Sequence, residues 1–306
     1  MKKMINNLAS PLCFIGNKTR ILPLIHQNLP TGYIEFVDLF GGSGVVGLSQ
    51  NRPVLYNEKD RYIFNLIKTI KDCDLDYMLT FIDFLIDKNN LSKDNKQAYL
   101  NFRKMFNDNI DQLDSERASI KESMYLRLLV LIFYSFNHYC TFNSSGKFNT
   151  PAGTHRSSYN KSIENKLITF KSRIDLFDYK FKIYNLDFRT MYKFVCGKYN
   201  DNLEDVIFFI DPPYLLSDNQ YCRTYGNTWV EQDEIDLYNI CNDINNKGGK
   251  FILTNLVESK GNINEHLLTF SKQYDTINTN CDFGGCNYQR SNKKTDKEIL
   301  VKNYYI

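Results

Sequence analysis

The sequence predicts an α/β fold, in which helices cover both faces of a mostly parallel sheet. Short apolar runs rich in β-forming residues recur along the chain, and the run 206–210 contains no polar residue, as in strands buried on both faces. Helical stretches such as residues 231–245 lie between most of these runs, and this one stops before Gly248 and Gly249. Strands that alternate with helices form an open sheet.

Seven runs are expected to form the strands of this sheet. Each is short and is bounded by turn or polar residues. They comprise residues 35–39, 54–56, 181–184, 206–210, 251–254, 274–279 and 299–304.

The pattern changes between residues 61 and 175. Apolar residues recur at helical spacing in 63–67 and 78–85, residues 124–136 predict another helix, and no run of the sheet type is present. Residues 137–160 are rich in Asn, Ser, Gly and Thr, which predicts a loop or hairpin. We interpret 61–175 as a mostly helical insertion in an α/β domain made of 1–60 and 176–306.

Composition and charge set broad limits on function. The 306 residues are 42% hydrophobic and carry a net charge of +3, which allows a nucleic-acid partner without demanding one. Two basic clusters stand out, although each also suits a solvated surface. They are Lys147, His155, Arg156, Lys161, Lys166, Lys171 and Arg173, and then Arg290, Lys293, Lys294 and Lys297.

The eight cysteines form no CxxC pair, and Cys281 and Cys286 have no His or Cys neighbours spaced for zinc. We therefore expect reduced thiols and no metal site. No sustained apolar run follows the first residues, and no window approaches the length of a membrane-spanning helix. These observations predict a cytoplasmic protein without a signal peptide.

The predicted strand that ends at Ile210 is followed directly by Asp211, Pro212, Pro213 and Tyr214. Ligands of open α/β sheets bind beyond the carboxyl ends of the strands, so this segment is a candidate catalytic site. Consecutive prolines hold the chain extended and leave carbonyl oxygens free to accept hydrogen bonds. Asp211 and the Pro212 carbonyl thus offer two acceptors for the hydrogens of an amino group, and Tyr214 offers a ring for stacking.

Two acceptors that face an amino group explain reactivity as well as binding. The exocyclic nitrogen of adenine is a poor nucleophile because its lone pair is delocalised into the ring. Acceptors that hold both hydrogens favour a more tetrahedral nitrogen, whose lone pair then points at an electrophile in a preorganised site.

A second candidate site is a glycine-rich turn between a predicted strand and an apolar helix. Glycines let the backbone approach a ligand, and the helix start offers free N–H groups. Glu58, at the end of the next strand, can accept hydrogen bonds from ribose hydroxyls. A nicotinamide dinucleotide stays an alternative ligand, although no GxGxxG pattern is present. The turn contains Asp38, Phe40, Gly41, Gly42, Ser43 and Gly44.

The order and spacing of these segments resemble the Dam-type (D12 class, α-group) adenine-N6 DNA methyltransferases. The resemblance implies a Rossmann-like S-adenosylmethionine-dependent methyltransferase fold, with a seven-stranded mixed sheet and an inserted, mostly helical target-recognition domain. It implies site-specific methyl transfer from S-adenosyl-L-methionine to the N6 amine of a flipped adenine in double-stranded DNA. The product of the cofactor would be S-adenosyl-L-homocysteine.

The resemblance also assigns cofactor contacts. The segment around Lys18 is similar to the family's N-terminal cofactor segment, with Asn17 where a second glycine is usual. Glu58 stands where the family commonly has Asp, and Asp187 stands where an Asp contacts the adenine of the cofactor. The implied cofactor-binding residues are Phe14, Gly16, Lys18, Asp38, Phe40, Gly41, Gly42, Ser43, Gly44, Glu58, Asp187, Phe188 and Asp211.

Residues 137–153 are similar to part of the family's insertion, with Thr141 where the family usually has Arg. We expect DNA contacts in this region and in the C-terminal basic cluster. For Lys166, Lys171 and Arg173, a solvated helix face is an equally good interpretation. The candidate DNA-binding residues are Asn143, Lys147, Asn149, Arg156, Lys161 and Arg290.

Alternatives remain open on the sequence alone. Asp211 favours adenine, but N4 of cytosine and an RNA target involve the same amine chemistry. A DNA-binding partner that has lost methyl transfer is a further alternative, motivated by the departures at Asn17, Glu58 and Thr141. We expect a monomer that acts in restriction-modification or phage protection, with a cognate restriction endonuclease as a candidate partner.

Overall fold

The computed structural model of the protein describes residues 8–12, 16–177, 180–216, 229–279 and 296–305. Within them, one mixed sheet contains all seven predicted strands and a two-residue strand, β6. The strands are β1 (Glu35–Asp38), β2 (Val54–Asn57), β3 (Phe181–Tyr184), β4 (Val206–Ile210), β5 (Lys250–Ser259), β6 (Asn262–Ile263), β7 (Asp275–Asn278) and β8 (Lys297–Lys302).

The strand order is β3-β2-β1-β4-β5-β8-β7, and β6 pairs with the outer end of β5. The five strands from β3 to β5 are parallel, whereas β8 and β7 run antiparallel to their neighbours. The chain leaves β1 in one direction for β2 and returns on the other side as β4. Such a reversal opens a crevice at the carboxyl ends of the two central strands, where open α/β sheets bind their ligands.

Ten α-helices accompany the sheet in the described residues. They are α1 (Leu22–Gln27), α2 (Val45–Leu48), α3 (Arg61–Asp72), α4 (Leu75–Lys88), α5 (Lys96–Asp108), α6 (Ala118–Tyr134), α7 (Lys161–Leu176), α8 (Phe188–Lys198), α9 (Glu231–Asn246) and α10 (Glu265–Ser271). Short 3-10 helices occur at Lys18–Ile21, Ile110–Asp114 and Phe136–His138.

The strands bury both faces, as the uninterrupted apolar runs predict. In β4, Ile207 and Phe209 join a core with α1 to α7, while Phe208 and Ile210 join a second core with α8 to α10. The predicted α/β class and the helices between strands are therefore confirmed.

Helices α3 to α7 all begin and end within residues 61–176, where the sequence predicts a helical insertion. Helix α6 lies at the centre of this region and is buried on all sides from Met124 to Tyr134, apart from Arg127. The insertion helices share one continuous core with a face of the sheet. The division into two domains at residues 60 and 175 stays a prediction.

Two buried basic residues hold the last helix of the insertion, α7, in place. The Lys171 ammonium donates to the Lys71 carbonyl and pairs with Asp175, and Arg173 donates to the carbonyls of Leu48 and Gln50. Both side chains are buried. The interpretations of Lys171 and Arg173 as a solvated face or as phosphate contacts are therefore wrong, because internal carbonyls and carboxylates hold them.

Other expectations concern the chain as a whole. Cys73, Cys140, Cys196 and Cys241 are free thiols. The described helices include none with the length and apolar character needed to cross a membrane. Over the same residues, no three His, Cys, Asp or Glu side chains are grouped so that they could hold a metal ion.

Candidate functional site

The candidate site lies where β1 and β4 end, and we call it the strand-end site. Asp211 follows β4 immediately, with its side chain 18% exposed. Its Oδ1 atom lies 2.8 Å from the Lys18 ammonium and accepts a hydrogen bond of 2.9 Å from the Thr254 hydroxyl. Among the described residues, none donates a hydrogen bond to Oδ2. Within the described residues, one oxygen of Asp211 is thus anchored and the other has no donor.

Lys18 reaches Asp211 from the N-terminal 3-10 helix. The Asn17 side chain begins this helix by accepting a 2.8 Å hydrogen bond from the Thr19 N–H. The Lys18 ammonium also donates to the Gly16 carbonyl at 2.9 Å, and its side chain is 4% exposed. Asn17, a departure from the family pattern, therefore has a capping role that a glycine lacks. The predicted cofactor residue Phe14 lies outside the described residues.

Tyr214 lies over the same cluster. Its hydroxyl is 2.9 Å from Asp211 Oδ1 and 2.6 Å from Glu298 Oε1, and its ring centroid is 5.1 Å from the Lys18 ammonium. Burial and the adjacent carboxylates of Asp211 and Glu298 raise the pKa of the phenol well above its ordinary value. The phenol is therefore a hydrogen-bond donor at neutral pH. Thr254 and Glu298 are not among the sequence-predicted site residues.

The glycine turn follows β1. A Cβ atom on Gly41 would lie 2.1 Å from the Tyr56 ring, so only glycine fits at this position. Gly44 has a φ of +75° at the start of α2, a conformation that favours glycine. The Tyr56 hydroxyl donates to the Gly42 carbonyl at 2.8 Å, and Ser43 is buried. Contacts with Tyr56 therefore hold the turn against β2.

Asp38 lies behind the turn and is 1% exposed. Its Oδ2 atom accepts a 3.0 Å hydrogen bond from the Gly47 N–H. Burial, with smaller contributions from Asp211 and Glu58, raises the pKa of the Asp38 carboxyl to about 8. The visible role of Asp38 is thus to brace the start of α2, and a contact with the cofactor stays a prediction.

Glu58 follows β2 and is half-buried. Its two oxygens accept hydrogen bonds from the N–H groups of Gly42, at 2.9 Å, and Asp60, at 2.7 Å. Burial and the Asp60 carboxylate raise the pKa of Glu58 to about 7. Each oxygen keeps further acceptor capacity, which is the property a ribose-binding carboxylate needs.

Asp187 and Phe188 begin α8 beyond the end of β3. The Asp187 carboxylate accepts from the Arg189 N–H at 3.0 Å and from the Lys59 ammonium at 3.0 Å. Partial burial acts in the opposite direction, but these donors lower the pKa of Asp187 below its ordinary value. A carboxylate is thus available at the outer end of the crevice.

An aromatic cluster lies between the glycine turn and α8. The Phe40 and Phe188 ring centroids are 5.4 Å apart, and Trp229 lies 5.7 Å from the first and 5.5 Å from the second. Trp229 was not predicted as a site residue. Its position before α9 is far in sequence from both phenylalanines, so no local pattern indicates the contact.

Five of the six candidate DNA-binding residues lie in or after a hairpin of residues 135–152. Antiparallel bridges join Ser135 to Ala152 and Phe142 to Phe148. The Asn143 side chain accepts hydrogen bonds from the backbone of Ser145 and Lys147. This amide oxygen therefore stabilises the hairpin turn.

The remaining candidates are at the surface. The Asn149 side chain accepts a 2.8 Å hydrogen bond from the Thr141 hydroxyl. Thr141, which departs from the family pattern, therefore has a partner within the hairpin. Lys147 and Arg156 are exposed, and exposed Lys161 pairs with Glu164 at 2.6 Å. Arg290 lies outside the described residues. All these DNA contacts stay predictions.

Most segments of the site lie within a region of the chain that matches a known protein family. The family model of the D12 class N6 adenine-specific DNA methyltransferases matches residues 14–279. That span contains the glycine turn, the Asp211–Tyr214 segment and all of the insertion.

Individual relatives are similar over most of this chain. The type II methyltransferase M.FokI from Planomicrobium okeanokoites is 28% identical over 97% of this chain and 43% of its own length. The modification methylase StsI from Streptococcus sanguinis is 29% identical over 97% of this chain and 43% of its own. A DNA adenine methylase from Vibrio cholerae is 26% identical over 75% of this chain and 74% of its own.

The chain therefore spans less than half the length of M.FokI and StsI, and about three quarters of the Vibrio protein. The family model, by contrast, covers most of the chain and both predicted ligand segments. The chain belongs to the D12 class of N6 adenine-specific DNA methyltransferases.

Proposed function

We propose that this chain transfers the methyl group of S-adenosylmethionine to the N6 amine of a flipped adenine at a specific site in double-stranded DNA. The observation that supports this most directly is the asymmetry of Asp211. Lys18 and Thr254 hold Oδ1, while Oδ2 receives no hydrogen bond from the described residues. A fixed acceptor with one available oxygen suits an amino group that must be held in a single orientation.

The residues of the crevice fit the proposed methyl donor. The glycine turn leaves its backbone open at the start of α2, and Glu58 keeps acceptor capacity for ribose hydroxyls. The aromatic cluster of Phe40, Phe188 and Trp229, with Asp187 beside it, suits an adenine ring and its amine. S-adenosylmethionine, when bound, supplies a methyl group on a positively charged sulfur.

The chain's own residues then act on the target base. Asp211 Oδ2 and the Pro212 carbonyl accept the two hydrogens of the amine, which directs the nitrogen lone pair towards the crevice. The Tyr214 ring stacks on the flipped base, while its hydroxyl stays bonded within the strand-end site. The Lys18 ammonium lies 2.8 Å from Asp211 Oδ1 and holds the carboxylate in place.

The insertion is the proposed target-recognition element. Lys147, Arg156 and Lys161 lie exposed near the hairpin of residues 135–152, where contacts to phosphates would offset the cost of flipping the base. The names of relatives such as modification methylase StsI support a role in restriction-modification. Action as a monomer and a cognate endonuclease partner belong to the same proposal.

Expression in a host without adenine methylation tests the function. Sequencing by a modification-sensitive method should show N6-methyladenine at one recurring motif, which would identify the reaction, the base and the recognition site together. N4-methylcytosine at the recurring motif would contradict the proposed base. Unmodified DNA, from protein that binds S-adenosylmethionine, would contradict the proposed transfer.

A further inference from the structure

A second carboxylate lies beside Asp211 in the strand-end site. Glu298 is on β8, where its Cα is in register with Leu256 of β5, and its side chain has no exposed surface. Burying a carboxylate is costly unless charges and hydrogen bonds surround it. The partners of Glu298 therefore indicate why a carboxylate is placed there.

Both oxygens of Glu298 are used. Oε1 accepts from the Tyr214 hydroxyl at 2.6 Å and lies 3.5 Å from the Lys18 ammonium. Oε2 accepts from the Thr279 hydroxyl at 2.9 Å. Two of these three partners, Tyr214 and Lys18, also contact Asp211.

The hydroxyl of Tyr214 has a single proton, and its contact with Glu298 is shorter than its contact with Asp211. When that proton goes to Glu298, Oδ1 of Asp211 is held by Lys18 and Thr254. The ring is then fixed through its hydroxyl group by Glu298. Lys18, lying between two carboxylates, is fixed as well.

We propose that Glu298 is a positioning residue for methyl transfer, which orients the Tyr214 ring and the Lys18 ammonium against Asp211. The inference rests on the proposed function, and it adds a residue of the antiparallel part of the sheet to the reaction. Glu298 does not touch the base. It acts by keeping the stacking surface and the anchored carboxylate in one arrangement before substrate arrives.

Glu298→Gln tests this with little change in volume. Glutamine has only one acceptor oxygen, so the hydroxyls of Tyr214 and Thr279 can no longer both donate to the side chain at 298. We expect kcat to fall about 10- to 100-fold, because small misplacements of reacting groups have effects of this size. KM for S-adenosylmethionine and the melting temperature should stay near the wild-type values.

The control is Glu258→Gln. Glu258 lies near Glu298 on the paired strand β5, but it contacts exposed Lys297 and none of the strand-end residues. Its kcat should equal that of the wild type. Tyr214→Phe should lower kcat to a similar extent as Glu298→Gln. The kcat of the double variant should be no lower than that of the less active single variant. If the fold-decreases in kcat of the two single variants multiply in the double variant, the inference is wrong.

A measurement that does not depend on methyl transfer can test this inference separately from the proposed function. In protein labelled at the tyrosine ring carbon that bears the hydroxyl, Tyr214→Phe identifies the Tyr214 resonance. Glu298→Gln should move this resonance and Glu258→Gln should not. An unmoved resonance, with kcat within twofold of wild type, would overturn the positioning role. A wild-type enzyme that transfers no methyl group overturns the proposed function instead, while the resonance still decides whether Glu298 holds Tyr214.

Discussion

At the strand-end site, polar side chains from segments far apart in sequence meet below the surface, whereas in the hairpin of residues 135–152 many bond to near neighbours. Lys18, Asp211 and Glu298 lie within hydrogen-bond or ion-pair distance and are largely buried. Asn143 and Asn149 instead accept hydrogen bonds from residues within the hairpin. The first arrangement is complete before a ligand arrives. In the second, Lys147 is exposed and accessible to a partner, so substitutions in the two regions should differ in kind.

The largest effect is expected at Asp211. Asp211→Ala should lower methyl transfer by about 10²- to 10³-fold or more, because the anchored acceptor for the amine is lost. Binding of S-adenosylmethionine should survive, since Lys18 keeps Glu298 as a partner at 3.5 Å. Transfer of a labelled methyl group and calorimetric titration measure the two properties. Activity within a few-fold of the wild type would exclude the acceptor role.

A smaller effect is expected in the glycine turn. Gly41→Ala places a Cβ atom 2.1 Å from the Tyr56 ring, and we expect a loss of about 1–3 kcal/mol of stability together with weaker cofactor binding. Gly197→Ala on α8 is the matched control, because a Cβ there meets nothing within 4 Å. It should be neutral or up to about 1 kcal/mol stabilising. Equal denaturant midpoints for the two variants would contradict the steric argument.

In the basic region, neutralising Lys147, Arg156 and Lys161 to Gln should weaken DNA binding roughly 10-fold at low salt. Each lost phosphate contact also lowers the steepness of the salt dependence by about 0.9. The buried strand-end site is untouched, so cofactor affinity should not change. Fluorescence anisotropy over a salt series measures both quantities.

The control for this triple variant removes the same charge elsewhere. Lys68, Lys193 and Lys272 are exposed on other parts of the protein. Their replacement by Gln should leave the salt dependence unchanged. An identical loss of DNA affinity in the two triple variants would show that net charge, and not the position of these residues in and after the hairpin, is responsible.

The smallest effect on methyl transfer is expected from a prediction that concerns the pH dependence of stability. Because burial raises the pKa of Asp38 from 3.8 to about 8, the folded state holds a proton that the unfolded state releases. Stability from this group is present below pH 3.8 and is lost as the pH rises towards 8, with a slope of at most about 1.4 kcal/mol per pH unit. Asp38→Asn should flatten this slope in denaturation curves between pH 5.5 and 8. A residual slope should remain, since Glu58 has a pKa of about 7 and the same sign.

Much of the fold could be predicted because its signals are local. The run 206–210 is apolar throughout and forms β4, and all six other predicted strands are present. Strand β6 has only two residues and thus no pattern to detect. Strand β5 extends beyond residues 251–254 because it pairs with β8 as far as Glu258. Asn255 lies in this extension, and its side chain is buried through contacts with Glu234 and Tyr238 that no local pattern indicates.

The site was predictable only where one segment contains its residues. Asp211 to Tyr214 and the glycine turn are continuous in sequence, and they lie together as expected at the ends of β4 and β1. Glu298 follows Tyr214 by 84 residues, and the polar side chain of Thr254 is buried in a strand. Arg173 was misinterpreted for the same reason, since its partners are carbonyls more than 120 residues away.

The contact of Arg173 with the carbonyls of Leu48 and Gln50 limits how the insertion can be exchanged between proteins. Helix α2 has only four residues, and its final turn depends on a guanidinium supplied by α7. A grafted recognition segment without an equivalent of Arg173 would leave buried carbonyls unsatisfied, at about 1–3 kcal/mol each. An engineer who wishes to change the recognised sequence should therefore join the new segment before the last turns of α7, so that Arg173 stays with the scaffold.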